Sequence, residues 1–195
     1  MGTFVVEGGH RLEGRIRPAG NKNSALPCLA AAVLCPEPVT FENVPRIRDV
    51  LTFLSIIESL GAKVAWSGSN ELTIDAGSVH TNRVDAGMAS RIRASVLLAG
   101  PLLARFGHVE LPPPGGDVIG RRRMDTHFLA FEALGCEVTL NRGYEISAEH
   151  LIGADFFLDE PSVTGTENAI MAAVRASGET KIRNAAAEPH VQDLC

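Results

Sequence analysis

Four short segments carry side chains suited to holding an anion: Lys22-Asn23, Arg93, Arg122 within the triplet Arg121-Arg122-Arg123, and Ser162-Val163-Thr164-Gly165. Each stands before or at the start of a stretch with helical patterning. The first turn of a helix presents backbone N–H groups without intrahelical partners at the positive end of the helix dipole. A Lys or Arg added there makes a place for a phosphate or carboxylate. Taken singly, each cation reads first as a solvated surface charge, and Ser162 or Thr166 as a helix cap. Their recurrence in equivalent positions favours a shared anion site.

A fifth segment runs from Pro112 to Arg123. It combines a stiff Pro-Pro-Pro start, the flexible pair Gly115-Gly116, one carboxylate at Asp117 and three cations. Such a loop can close over a ligand or simply be a long surface turn. Its GGDVIG is not GxGxxG, so a dinucleotide site has little support. The Arg triplet is weak evidence for nucleic acid in an acidic chain with few aromatics. Of the histidines only His127 lies near these segments, and no HxxxH or HExxH pair points to a metal. His10, His80, His108 and His150 read as surface or packing residues.

The elements that must position these residues recur. Val39-Thr40-Phe41-Glu42-Asn43 aligns with Thr180-Lys181-Ile182-Arg183-Asn184 at an offset of 141, and Val39 to Phe41 falls on Val109 to Leu111 at 70. A fixed period is the mark of a repeated unit. Each copy contains an uncharged run: Ser24 to Cys35, Ala94 to Ala104, and Asn168 to Val174. In the first run Leu26, Leu29, Ala30, Val33 and Leu34 keep helical spacing, while the other faces carry no charge, which describes a buried helix. A second, amphipathic helix follows in the first two copies. Val50, Phe53, Leu54, Ile57 and Leu60 end at Gly61, and Phe128, Phe131 and Leu134 end at Gly135. Strand-like pairs come next, Lys63 to Trp66 with Leu72 to Asp75, and Glu137 to Leu140 with Tyr144 to Ser147. The unit therefore reads β-α-β-α-β-β with its helices inside. By the spacing of Asn43 and Leu60, the third copy's second helix would end at about position 201. That predicts a fragment, or a half that needs a partner.

Composition bounds the rest. The 195 residues, 45% hydrophobic, 21% charged and only 5% aromatic, describe a globular chain with an aliphatic core. Eighteen Lys and Arg against 23 Asp and Glu give a net charge of −5, which argues against general binding to nucleic acid or anionic membranes. Cys28, Cys35, Cys136 and Cys195 form no CxxC pair, as expected in a reducing compartment. The start MGTFVVEGGHRLEG lacks the pattern of a secretory signal, and no uncharged stretch approaches bilayer length. A cytoplasmic location is expected.

Several motifs together carry a family resemblance. They are Gly20-Asn21-Lys22-Asn23-Ser24-Ala25-Leu26-Pro27, Asn43-Val44-Pro45 with Asp49-Val50, Arg93-Ala94-Ser95 with Gly100 to Gly107, and the Gly115-Gly116-Asp117 loop. Ser162-Val163 with Thr166-Glu167-Asn168, and Asn184-Ala185-Ala186 with Glu188-Pro189, complete the set. The chain resembles the enolpyruvyl transferases, and within them the branch that acts on UDP-N-acetylglucosamine, through essentially all its residues but over only about the first half of such an enzyme. The resemblance implies the inside-out α/β barrel of enolpyruvyl transferase type, with two like domains of three repeats and substrates between them. Residues 1–21 would be strands that pair with the second domain, and 22–195 would form the first, its third repeat incomplete. The implied partners are phosphoenolpyruvate, UDP-N-acetylglucosamine and that second domain, with no cofactor, metal, nucleic acid or membrane. The implied reaction joins phosphoenolpyruvate to the 3-hydroxyl of the sugar nucleotide and releases phosphate, the first committed step toward peptidoglycan. It needs an acid, a base and cations for the phosphate.

By motif position, Lys22 and Arg122 would hold the phosphate of phosphoenolpyruvate, Asn23 the reacting sugar region, and Arg93 a substrate phosphate or carboxylate. Asp117 takes the place of the loop acid, a cysteine in most relatives. An aspartate cannot be alkylated as a thiolate can, so the resemblance implies resistance to the epoxide fosfomycin. Flanking arginines favour the ionised carboxyl, and bound substrate phosphate would restore its proton affinity. Arg122, Arg123, Met124, Asp125, Thr126 and His127 would contact uridine and sugar, and Ser162, Val163 and Thr164 the diphosphate. The sequence departs from the family pattern at Arg123 (usually Pro), Thr164 (Gly), Ala187 (Arg), His190 (Glu) and Glu160 (Lys), and the loop has two extra prolines. These departures bear on the acceptor. A uridine nucleotide or shikimate 3-phosphate is the alternative acceptor, and a non-catalytic binding half the alternative of another class.

Overall fold

A computed structural model describes residues 3–116 and 123–195. Residues 117–122, which include Asp117 and Arg122, lie outside the described residues. Regular structure begins with the helix α1 (Lys22–Ala31), the strand β1 (Val39–Phe41), the helix α2 (Arg48–Ser59) and the strands β2 (Lys63–Trp66) and β3 (Leu72–Asp75). A short helix α3 (Ala86–Ala89) and a 3-10 segment Arg93–Leu98 lead into α4 (Ala99–Phe106). The order β4 (His108–Leu111), α5 (Asp125–Ala133), β5 (Glu137–Leu140) and β6 (Tyr144–Ser147) then repeats the first. β7 (Asp155–Phe157), α6 (Val163–Ala173), β8 (Lys181–Arg183) and α7 (Pro189–Leu194) make the third copy.

The repeat governs the sheets as well as the helices. β1-β3-β2 and β4-β6-β5 are antiparallel sheets of one topology, each with its last strand in the middle. Ile74 sits opposite Val39 and Val64, and Ile146 opposite Val109 and Val138. Thus the apolar side chains of each central strand meet apolar partners on both sides. Leu72 and Ile74 are fully buried, as alternation requires of a sheet with one covered face. In the third copy β7 pairs parallel with β8, Asp155 opposite Lys181. The same first strand of the second copy is reduced to one parallel bridge, Arg83 to Glu110. Residues 3–21 contain no strand, and Phe4, Val5, Val6, Leu12 and Ile16 expose 86% or more of their surface.

The uncharged runs are buried helices, as their composition requires. Leu29 and Ala30 of α1, Leu102 and Leu103 of α4, and Ala169 and Ala172 of α6 are all fully enclosed. The second run departs from a single helix. From Arg93 to Leu98 the backbone is 3-10, because Pro101 has no N–H to offer and the N–H of Gly100 donates to Asn168 Oδ1 (2.7 Å) rather than to its own helix. Asn168 Nδ2 in turn donates to the carbonyl of Val96 (3.0 Å). α4 and α6 approach so closely that a Cβ on Gly100 would lie 2.6 Å from the Asn168 carbonyl oxygen. α2 buries Val50, Phe53, Leu54, Ile56 and Ile57, and Gly61 ends it at φ +107°. Asn43 and Asn184 occupy the left-handed region at φ 56° and 57° in equivalent places of the first and third copies, a conformation asparagine tolerates better than most residues. Among the described residues no helix is long and apolar enough to cross a membrane.

Candidate functional site

The starts of the three buried helices converge on one cleft of about 540 Å³, within the size range of small-ligand sites. Asn21 caps α1, its side-chain oxygen accepting from the N–H groups of Asn23 (2.7 Å) and Ser24 (3.3 Å). Ser162 caps α6 by accepting from Gly165 N–H (3.2 Å). Ile92 occupies the corresponding place before the 3-10 segment and has no side-chain cap. The residues that follow these three caps line the cleft in register. Lys22, Arg93 and Val163 come first, Asn23, Ala94 and Thr164 second, and Leu26, Leu97 and Glu167 fifth. Asp49 and His190, equivalent residues of α2 and α7, complete the wall with Arg91, Gly116 and Glu188.

The charges in this cleft are arranged in pairs and layers. Lys22 Nζ lies 2.8 Å from Asp49 Oδ2, with both groups partly exposed. The Arg93 guanidinium reaches past the cleft wall to donate to the carbonyl of Arg123 (3.3 Å) and touches Met124 Sδ at 3.3 Å. Behind Thr164 stands His127, 1% exposed, its Nε2 3.0 Å from the Thr164 hydroxyl. Burial and then the nearby Arg93 charge lower its pKa to about 4, so the imidazole is neutral at physiological pH. Arg123 turns aside: it bonds Asp125 Oδ2 (2.9 Å) and Asp159 Oδ2 (2.7 Å), and Asp159 also accepts from the Thr126 hydroxyl (2.8 Å). The hydrogen bond from Arg123 holds the Asp125 carboxyl below its ordinary pKa, and that from Thr126 does the same for Asp159.

Of the residues read from sequence, Lys22, Asn23, Arg93, Val163 and Thr164 line the cleft. Met124 and His127 back it through Arg93 and Thr164, and Ser162 caps one of its helices. Arg123, Asp125 and Thr126 cluster around Asp159 and are not among the lining residues. Asp117 and Arg122 lie outside the described residues. The loop that precedes them reaches the cleft through Gly116. A Cβ on Gly115 would sit 1.7 Å from the Ser90 carbonyl oxygen, and one on Gly116, at φ +94°, 2.9 Å from Arg93 N. Only glycines allow the loop this approach.

Sequence reasoning gave no role to Asp49, Arg91, Glu167 or Glu188, all of which line the cleft. Asp49, Glu167 and Glu188 belong to the motifs that carry the family resemblance, which mark their positions but not their burial; Arg91 had no signal beyond its closeness to Arg93. Glu167 is 2% exposed, and burial followed by the Glu188 charge pushes its carboxyl up to about 8. A second groove of about 540 Å³ runs along the β4 and β6 edge, where Arg83 is paired with Glu110 (2.7 Å), and contains none of the sequence-derived residues.

Comparison with known proteins adds to this geometry. The family model described as EPSP synthase (3-phosphoshikimate 1-carboxyvinyltransferase) matches residues 6–195. A UDP-N-acetylglucosamine 1-carboxyvinyltransferase of Bradyrhizobium diazoefficiens is 62% identical over 191 residues, covering 98% of this chain and 44% of that protein. The protein of the same name from Treponema pallidum is 55% identical over 195 residues, covering all of this chain and 46% of that protein. This chain therefore spans under half the length of these curated relatives. Among solved structures, the enolpyruvyl transferase NikO from Streptomyces tendae superposes with a TM-score of 0.80 at 24% identity, covering 96% of this chain and 44% of that one. An EPSP synthase from Acinetobacter baumannii superposes with a TM-score of 0.72 at 18% identity, covering 92% and 42%. Both have the fold described above.

Proposed function

Because the chain belongs to the EPSP synthase (3-phosphoshikimate 1-carboxyvinyltransferase) family, we propose that it forms one substrate-binding half of an enolpyruvyl transferase. This enzyme moves the enolpyruvyl group of phosphoenolpyruvate to the 3-hydroxyl of UDP-N-acetylglucosamine, releases phosphate, and works in the cytoplasm at the first committed step of peptidoglycan synthesis. The observation that carries this reading is the cleft itself, where three helix starts converge with Lys22 and Arg93 in its wall. The names of the relatives at 62% and 55% identity supply the acceptor.

In this reading Lys22 and Arg122 hold the phosphate of phosphoenolpyruvate and Asp117 delivers a proton to its C3 methylene, which makes C2 electrophilic. The sugar hydroxyl adds to C2 as a base of the second domain takes its proton. Loss of phosphate and of one C3 proton then restores the double bond in the product. Asn23 and Arg93 orient the reacting groups, and the backbone and side chains of Ser162, Val163 and Thr164 receive the diphosphate. Met124 and His127 back the place of the uridine and sugar through Arg93 and Thr164, while Arg123, Asp125 and Thr126 gather around Asp159 beside it. His127, being neutral, contributes a hydrogen bond through Thr164 and no charge. The apolar side chains exposed along 4–16 support pairing of the first residues with the second domain. An aspartate at 117 leaves fosfomycin without a thiolate to alkylate.

The test is phosphate release from phosphoenolpyruvate by the native polypeptide that carries this sequence, with UDP-N-acetylglucosamine, UMP or shikimate 3-phosphate as acceptor. Release with UDP-N-acetylglucosamine alone is expected, and Lys22→Ala lowers it at least a hundredfold, in line with loss of a preorganised charge on the reacting phosphate. Release only with another acceptor overturns the acceptor assignment. Release with none overturns the enzyme reading in favour of a binding half.

A further inference from the structure

At the fifth residue of the three buried helices the repeats differ in one respect. The first two copies place Leu26 and Leu97 there, 6% and 2% exposed, and the third places Glu167, also 2% exposed. All three line the same cleft. Leucine satisfies the packing of this position twice, so packing alone gives no reason for a carboxyl. The carboxyl is moreover incompletely bonded, since Glu167 Oε1 is buried with no hydrogen-bond partner in the protein. Folded proteins rarely leave a buried polar atom in this state, and those that do concentrate such atoms where a ligand supplies the missing bond.

The groups around Glu167 set its form. Lys22 and Cys28 face it from α1, Arg93 from the 3-10 segment, His127 from α5 behind Thr164, and Glu188 and His190 from the start of α7. Lys22 is engaged by Asp49, and the charge that acts most on Glu167 is the like charge of Glu188. Burial and that repulsion together keep the carboxyl protonated at neutral pH. A protonated carboxyl is a donor, whereas its ionised form only accepts.

We propose that Glu167 is a substrate-contacting residue: as a neutral carboxylic acid it donates a hydrogen bond to an anionic phosphate or carboxylate oxygen held in the cleft with Lys22 and Arg93. The inference rests on the cleft being the anion site of the proposed function, and it adds a contact and a pH limit to that site. The proton stays on Glu167 throughout. Protonation also leaves Lys22, Arg91 and Arg93 facing only the carboxylates of Asp49 and Glu188, so the wall favours anions while Glu167 is neutral and loses that excess once it ionises.

The experiment is calorimetric titration of the chain with sulfate, which stays doubly ionised across neutral and alkaline pH, so that a pH dependence belongs to the protein. Above neutral pH the expected Kd rises roughly tenfold per pH unit beyond the Glu167 pKa, and any change below pH 7 belongs to His190 in the same wall. Glu167→Gln, which keeps a donor and cannot ionise, binds within about threefold of the parent at pH 7 and loses the alkaline rise. Glu167→Leu, the residue of the other two repeats, binds at least about fivefold more weakly at pH 7. A flat parent profile to pH 9.5, a rise that survives in Glu167→Gln, or unchanged affinity in Glu167→Leu overturns the proposal. Arg93→Ala separates the two claims. Sulfate binding unaffected by Arg93→Ala overturns the anion-site reading, whereas binding lost with Arg93→Ala but indifferent to Glu167 overturns this inference alone.

Discussion

Replacing Asn168 with alanine tests how the cleft is held together. Its amide joins two buried helices: Oδ1 accepts from Gly100 N–H at 2.7 Å, and Nδ2 donates to the Val96 carbonyl at 3.0 Å. The side chain is fully enclosed, so no water replaces it. Alanine leaves a buried donor and a buried acceptor unsatisfied at about 1–3 kcal/mol each, and a small void besides. A central value of about 3 kcal/mol corresponds to a fall in Tm of about 6–12 °C for a chain of this size. Urea unfolding followed by far-UV circular dichroism measures it directly. Asn168→Asp sharpens the test, since its second oxygen opposes the Val96 carbonyl when ionised and can donate to it when protonated. This variant should be as unstable as Asn168→Ala at pH 7 and recover part of the loss at pH 4. A loss below about 1 kcal/mol in Asn168→Ala, with the denaturant slope unchanged, would refute the reasoning, because the two bonds would then not be the link between α4 and α6.

Two further predictions follow from buried titratable groups. His127 has its pKa lowered from 6.5 to about 4. Between those values the unfolded chain takes up a proton that the folded chain refuses, so stability falls with falling pH by about 3 kcal/mol. Urea midpoints from pH 7 to pH 4 should show this fall in the parent and a shallower one in His127→Gln; equal slopes would count against a neutral buried imidazole. Cys136 is buried with its thiol pushed up to about 12, while Cys195 is exposed. Thiol labelling at pH 8 read by mass spectrometry should modify Cys195 first and Cys136 only in denaturant, and early modification of Cys136 would show that its enclosure opens readily.

What could be read from the sequence depended on whether a feature was local or shared. The buried helices were legible because a run with no charge, such as Ser24 to Cys35, has no face to give to water. The two sheets were legible because paired strands follow each amphipathic helix at nearly fixed spacing. The break of the second run into 3-10 and α segments was not legible, since it depends on Asn168, 68 residues from Gly100, capturing the Gly100 N–H. The anion theme was visible at Lys22 and Arg93, whose helix starts announce them. Glu167 was not, because a glutamate inside a helical run looks like any solvated residue until the fold buries it beside Glu188. Arg123, Asp125 and Thr126 illustrate the opposite case: contiguity with the loop suggested the site, yet Asp159, brought from 34 residues beyond Asp125, draws them into a cluster of their own.

The three copies are arranged differently from a stacked repeat array. α4 packs on α6, α6 on α7, α7 on α1, and the 3-10 segment touches both α1 and α6, so the helices form a closed circuit. A stacked array can lengthen by one unit or fray from an end, since each unit leans only on its neighbours. A closed circuit has no outer unit to give up. Its copy number is fixed by geometry, and each copy is free to diverge at any position that faces the shared axis. Lysine, arginine and valine can therefore occupy one structural slot in three copies of the same helix. A triplicated scaffold of this kind turns internal symmetry into an asymmetric pocket through single-residue changes.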